Sequence, residues 1–110
     1  MTEKEIIDFC LTFDNTFEDR PFPDDFETVV MKHSDNKKWY ALIMKVKDKM
    51  YLNVKTNPEY SELLRNTYKY IIPAYHMNKR HWVSVLLDGS VDKDTLTFLL
   101  DVSYDLTKKG

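Results

Sequence analysis

The chain has 110 residues, 43% of them apolar, with 2 Gly and 4 Pro, a composition that excludes a disordered or fibrous protein. At 13.2 kDa it should expose roughly 6,400 Å² when folded against about 19,000 Å² extended, enough burial for one core and too little chain for two, so residues 1–110 are expected to form a single domain. The net charge of −2 argues against a general nucleic-acid coat, but the charges are unevenly placed: residues 1–30 carry two cations and nine acids, residues 31–81 eleven cations and four acids.

Thr2-Glu3-Lys4-Glu5 is a capping box, and Ile6, Phe9, Cys10 and Phe13 follow at helical spacing, which predicts a helix over about 3–13. Cys10, on the apolar stripe of that helix, reads as a small buried hydrophobe. As the lone cysteine it can form no intramolecular disulfide, so a reducing cytoplasm is the expected compartment. No stretch has the make-up of a secretion signal or the roughly 18 apolar residues of a membrane span.

Residues 14–25, with Pro21 and Pro23, predict an extended loop. Residues 26–33, 38–46 and 50–56 are rich in β-branched and aromatic side chains, and the polar breaks at 34–37 and 47–49 space them as three antiparallel strands joined by hairpins. The second is apolar on both faces and should be central. In the third, Met50, Leu52 and Val54 alternate with Tyr51, Asn53 and Lys55, which predicts a core face and a face open to solvent or ligand.

Asn57-Pro58-Glu59 starts a short helix over about 58–66, with Leu63 and Leu64 inward. Extended chain over 68–74 and a strand over 81–87 follow, closed by Asp88-Gly89. A final helix begins near Asp92, carries Leu96, Leu99, Val102 and Leu106 at helical spacing, and stops at Lys108-Lys109-Gly110 with cations near the negative end of its dipole. The order α-β-β-β-α-β-β-α implies an α+β two-layer sandwich, helices on one face of an antiparallel sheet.

The densest set of chemically capable groups is the run Pro73-Ala74-Tyr75-His76-Met77-Asn78-Lys79-Arg80-His81-Trp82. Its two histidines, five residues apart with no acid or cysteine between them, do not have metal-ligand spacing, and no cofactor is implied. No serine lies in a glycine-flanked turn of the hydrolase kind, and two glycines cannot build a phosphate-cradling loop. The run does supply cations, imidazoles and rings suited to phosphate contact with stacking. The competing structural reading is a basic turn in which Met77 and Trp82 enter the core while Lys79 and Arg80 solvate its tip.

At these residues the chain resembles the MmcQ/YjbR-like family, small bacterial domains of largely unknown activity often labelled DNA-binding. The likeness extends to Leu52-Asn53-Val54-Lys55, Glu18-Asp19-Arg20-Pro21-Phe22 and Asp88-Gly89. It departs at Pro23, where the family has glycine, and at Ser34-Asp35-Asn36-Lys37, where a glycine turn is common. The resemblance implies one antiparallel sheet with helices on one face, in agreement with the order above. Three functions are expected, in order of preference. The first is a non-enzymatic module binding DNA or another phosphorylated ligand through Lys55, Tyr75, His76, Lys79, Arg80 and His81. The second is a protein-interaction or adaptor domain using the open sheet face or an acidic loop, and the third an enzyme with His76 or His81 as general base.

Overall fold

The computed structural model describes residues 1–108, which form helix α1 (Glu3–Cys10), strands β1 (Thr16–Asp19), β2 (Val29–His33), β3 (Trp39–Val46) and β4 (Lys49–Lys55), helix α2 (Pro58–Thr67), strands β5 (Ile71–Pro73) and β6 (Trp82–Leu86), and helix α3 (Lys93–Thr107). The six strands make one antiparallel sheet in the order β1-β2-β3-β4-β6-β5, so β3 is central. The α+β sandwich stands, with the helices on one side of the sheet, and the described residues expose 6413 Å².

Each helix starts where its cap dictates. Thr2 accepts from the Glu5 amide at 3.2 Å while Glu5 accepts from the Thr2 amide at 2.8 Å. Asn57 accepts from the Tyr60 amide, and Asp92 from that of Thr95. All three helices cover one face of the sheet, where Ile6, Cys10, Leu64, Leu96, Leu99 and Leu100 meet the inward side chains of the strands. Residues β3 and β4 contribute alternately to that layer, Ala41 and Ile43 opposite Val54 and Leu52.

Several expectations change. The element order gains a strand, because Thr16–Asp19, expected to be loop, adds to the sheet edge beside β2. Its four residues have no apolar alternation of their own, and pairing with an existing strand supplies the hydrogen bonds that local propensity does not. Helix α1 ends at Cys10 rather than Phe13, and the strand expected from Phe26 begins at Val29, leaving Phe26 outside. Within 68–74 only Ile71–Pro73 is strand. Leu64 is buried but Leu63 is exposed, as is Leu106 on α3. The Lys109-Gly110 end expected for α3 lies outside the described residues.

The hairpin turns manage without glycine. The β3–β4 turn has two residues, Lys47 and Asp48, at φ of +50° and +66°, the double left-handed pattern that suits the twist of a two-residue hairpin. In the β2–β3 turn Lys37 carries φ of +61°, and Asn36 compensates by accepting from the Lys38 amide and donating to the Thr107 carbonyl at the end of α3.

One bulge has wide consequences. The β2–β3 register shifts between Met31 and Lys32, so Tyr40 is extra on β3 and enters the helix-side core with Ala41. Its hydroxyl reaches the Thr16 hydroxyl at 2.5 Å, and burial pushes that phenol's pKa well up.

Candidate functional site

The sheet face away from the helices is not open. Strand alternation puts Val30, Leu42, Asn53, Ser84 and Trp82 on it, all of them buried. Two loops close over this face, residues 20–28 before β2 and residues 74–81 between β5 and β6, and Phe22 and Met77 from these loops pack with Trp39 against Val30, Leu42, Ala74 and Trp82. The far side of β4, expected to face solvent or ligand, is therefore covered: Tyr51 and Asn53 are buried.

A polar bracket holds the second loop. Ser84 Oγ donates to Asn53 Oδ1 at 2.5 Å, Asn53 Nδ2 donates to the Tyr75 carbonyl at 3.1 Å, and the Tyr75 amide donates to Ser84 Oγ at 3.0 Å. Both side chains are fully buried, and this arrangement, with a further contact from Asn53 Nδ2 to the Met44 sulfur, satisfies their polar atoms. Beyond it Lys79 Nζ donates to the Ala74 carbonyl at 2.6 Å, and Asn78 accepts from the Arg80 amide while its own carbonyl accepts from Trp82. The loop is thus tied at both ends and across its middle.

The six residues singled out by sequence fall as follows. Tyr75 is half-buried, its ring 5.2 Å from that of Tyr51 in an edge contact. Burial first, and Tyr75 beside it, raise the pKa of the Tyr51 phenol. His76 is exposed and sits in the left-handed region at φ of +61°. Lys79 and Arg80 are exposed at the tip. His81 is half-buried, and its carbonyl accepts from the Thr56 amide at 2.7 Å. Lys55, 26 residues before His81 in sequence, pairs with Trp82 in the β4–β6 register and so lies at the base of the loop. The six do not gather at one point: Lys55 and His81 lie where β4 and β6 meet at the Lys55–Trp82 pair, whereas Tyr75 folds back over Tyr51 and His76 borders the same cleft as Lys45 and Lys47 near the β3–β4 turn. Trp82 and Met77 do enter the core on this face, as the competing reading of the run required, while Lys79 is bonded to the loop backbone rather than merely solvated.

Sequence reasoning missed the cleft between the two loops. About 750 Å³ in volume, it is floored by Leu42 and Met44 of β3 and walled by Phe22, Trp39, Met77 and His76. Phe22 and Trp39 meet edge to face at 5.8 Å. The loop before β2 is shaped by Arg20, whose guanidinium donates to the Phe26 carbonyl, and by Asp25, whose carboxylate accepts from the Thr28 hydroxyl at 2.5 Å and from the Thr28 and Glu27 amides. Those bonds, that of the Thr28 hydroxyl foremost, hold the Asp25 carboxyl below its ordinary range. Near Trp39, Lys32 pairs with Asp19 at 2.6 Å, which lowers the Asp19 pKa. The one signal available beforehand was that Phe22 and Met77 both lie in segments carrying the family likeness, and His76 is the single residue shared by the six and the walls of the cleft.

Comparison with known proteins gives consistent results. The family model described as YjbR matches residues 11–106. The chain is similar to the uncharacterized protein YyaQ of Bacillus subtilis, 39% identical over 71% of this chain and 74% of that one. It is also similar to the uncharacterized protein YjbR of Escherichia coli K12, 31% identical over 94% and 85%. Among solved structures, a Pseudomonas syringae protein superposes with a TM-score of 0.91 at 34% identity, covering 98% of this chain and all of that one. A Deinococcus radiodurans protein with a DUF419 domain superposes at 0.87 and 39% identity, over 99% and 80%.

Proposed function

Since the chain belongs to the YjbR family, whose relatives named above carry no stated activity, we propose from its own surface that it is a non-enzymatic binding module for DNA or another phosphorylated partner. The partner is taken at the β5–β6 loop, with phosphate contacts from Lys55, Lys79 and Arg80, hydrogen bonds from His76 and His81, and Tyr75 as the aromatic contact. One observation carries this reading. Among the described residues no carboxylate lies within ion-pair distance of Lys55, Lys79 or Arg80, although acids outnumber cations in the chain, and the loop bearing two of these cations is held rigid by the Asn53–Ser84–Tyr75 bracket. Unpaired cations on a preorganised loop bind an anion without first breaking an internal ion pair. A mobility-shift titration tests it: with about three phosphates neutralised by these cations, log K should fall against log salt with a slope of about −2.7. Absence of any shift with single- or double-stranded DNA or RNA at low salt would overturn it.

A protein-interaction role is the second reading, and its support lies on the helices rather than on the sheet face first expected. Leu63, Tyr68 and Phe98 are 59%, 39% and 54% exposed and border one groove between α2 and α3. Pull-down from nuclease-treated lysate separates the two readings, because a protein partner survives the nuclease and Leu63→Ser would release it.

A further inference from the structure

The cleft between the Phe22 and Met77 loops shares only His76 with the residues of the phosphate reading, and none of its cations. Its volume of about 750 Å³ falls within the range of small-molecule pockets, and so does its mix of apolar walls with a few charged groups. Leu42, Met44 and Met77 offer apolar and polarisable surface that adapts to a flat ring, and the edge contact of Phe22 on Trp39 sets the two aromatic walls at 87° to each other. The walls are also fixed in place. Met77 belongs to the bracketed loop, Phe22 to the segment closed by Arg20 and Asp25, and Trp39 to the central strand.

The charges around the cleft are sorted by side. Lys45, on β3, and Lys47, in the turn that follows, both contribute to the lining, and among the described residues neither has a carboxylate within ion-pair distance. Lys47 sits in the two-residue turn at positive φ, which fixes its backbone at the rim of the cleft. The acids of the lining, Asp24 and Asp25, come from the other loop, and Asp25 already has its carboxylate oxygens occupied by Thr28 and Glu27. His76 borders the cleft from a left-handed backbone conformation, which a β-carbon makes unfavourable and which recurs at ligand sites.

We propose that this cleft is a small-molecule site for a planar aromatic carboxylate, its ring held among Trp39, Phe22, Met44 and Met77 and its acid directed to Lys47. The inference does not rest on the phosphate-binding reading, since it uses none of Lys55, Lys79 or Arg80.

The test is titration of the full chain with 2-naphthoate, followed by tryptophan fluorescence and by amide and indole chemical shifts, with 2-naphthylmethylamine as the cationic counterpart of equal ring size. Naphthoate should bind saturably, with shifts concentrated at Phe22, the Trp39 indole and Met77. The amine should bind about tenfold more weakly, and Lys47→Gln, an exposed turn substitution, should weaken naphthoate by about tenfold, the equivalent of one charge-assisted hydrogen bond. Trp39→Leu should abolish binding. No saturable shift by about 1 mM naphthoate, equal binding of acid and amine, or shifts confined to the Leu63–Phe98 groove would each overturn the proposal. Because the mobility shift depends on the loop cations and the naphthoate titration on Lys47, either reading can fail alone.

Discussion

Asn53 and Ser84 face each other across β4 and β6, and their buried 2.5 Å hydrogen bond orients the two side chains that hold the loop above the sheet. Every polar atom of the pair that points to the loop is used, by the Tyr75 carbonyl and amide. Asn53→Leu leaves the Ser84 hydroxyl and the Tyr75 carbonyl without their partner in a dry environment. A loss of about 2–3 kcal/mol is expected by denaturant midpoint, with faster amide exchange across residues 75–81 and unchanged exchange in α1. Unchanged loop exchange would mean that the bracket does not order the loop.

Trp82 and the loop cations should separate cleanly in stability measurements. Trp82 is 8% exposed and packs with Val30, Leu42 and Ala74, so Trp82→Ala should cost about 3–5 kcal/mol. Arg80→Ala should stay within about 0.5 kcal/mol. Lys79→Ala should cost about 1 kcal/mol, because its ammonium bonds the Ala74 carbonyl. Mobility shifts on the same variants test function: with Arg80→Ala folded normally, unchanged affinity for DNA would remove Arg80 from the binding surface.

His33 makes stability depend on pH. Its ring is buried between Tyr40 and Tyr104, with centroids at 5.0 and 4.6 Å, and its Nε2 lies 2.8 Å from the Thr107 hydroxyl. That hydroxyl donates to the Ser103 carbonyl, so Nε2 acts as the donor to it. Burial, the largest influence, lowers the His33 pKa below 6.5; Asp35 opposes the shift, and Lys108 and Lys38 add to it. The unfolded chain then takes up a proton that the native state refuses. The contribution of His33 is complete above about pH 6.5 and declines as pH falls from there through the lowered native pKa. Urea midpoints measured from about pH 7.5 to 5.5 should fall for the wild-type chain and stay flatter for His33→Gln.

The β3–β4 turn invites a stabilising change. Asp48 holds φ of +66° at the second position of a two-residue turn, where glycine carries no β-carbon penalty. Asp48→Gly should raise stability by about 1 kcal/mol at constant denaturant slope.

Cys10 should be chemically silent while the chain is folded. Burial pushes its thiol pKa up to about 12, so almost no thiolate exists near neutrality. Reaction with an aromatic disulfide reagent should proceed only at the rate of unfolding and become immediate in denaturant. Rapid labelling under native conditions would show that the end of α1 opens locally.

Local chemistry determined the helix starts and the central strands. The side chains of Thr2, Asn57 and Asp92 each bond an amide three residues on, and the apolar run of β3 is continuous in sequence, so neither needs distant chain to be recognised. Membership of Trp82 and Met77 in the core could be read for the same reason, from large apolar groups beside a strand start. What tertiary structure alone decided was everything that depends on pairing across long separations. Thr16–Asp19 is a strand only because β2 lies alongside it, and β6 enters between β4 and β5. Asn53 is buried because Ser84 and Tyr75, 31 and 22 residues away, satisfy its amide. Likewise Phe22, Trp39, Met44 and Met77 border one cleft although no short segment contains them, since the geometry of a pocket belongs to the sheet and the loops folded over it, and side-chain periodicity carries no record of which loops will meet.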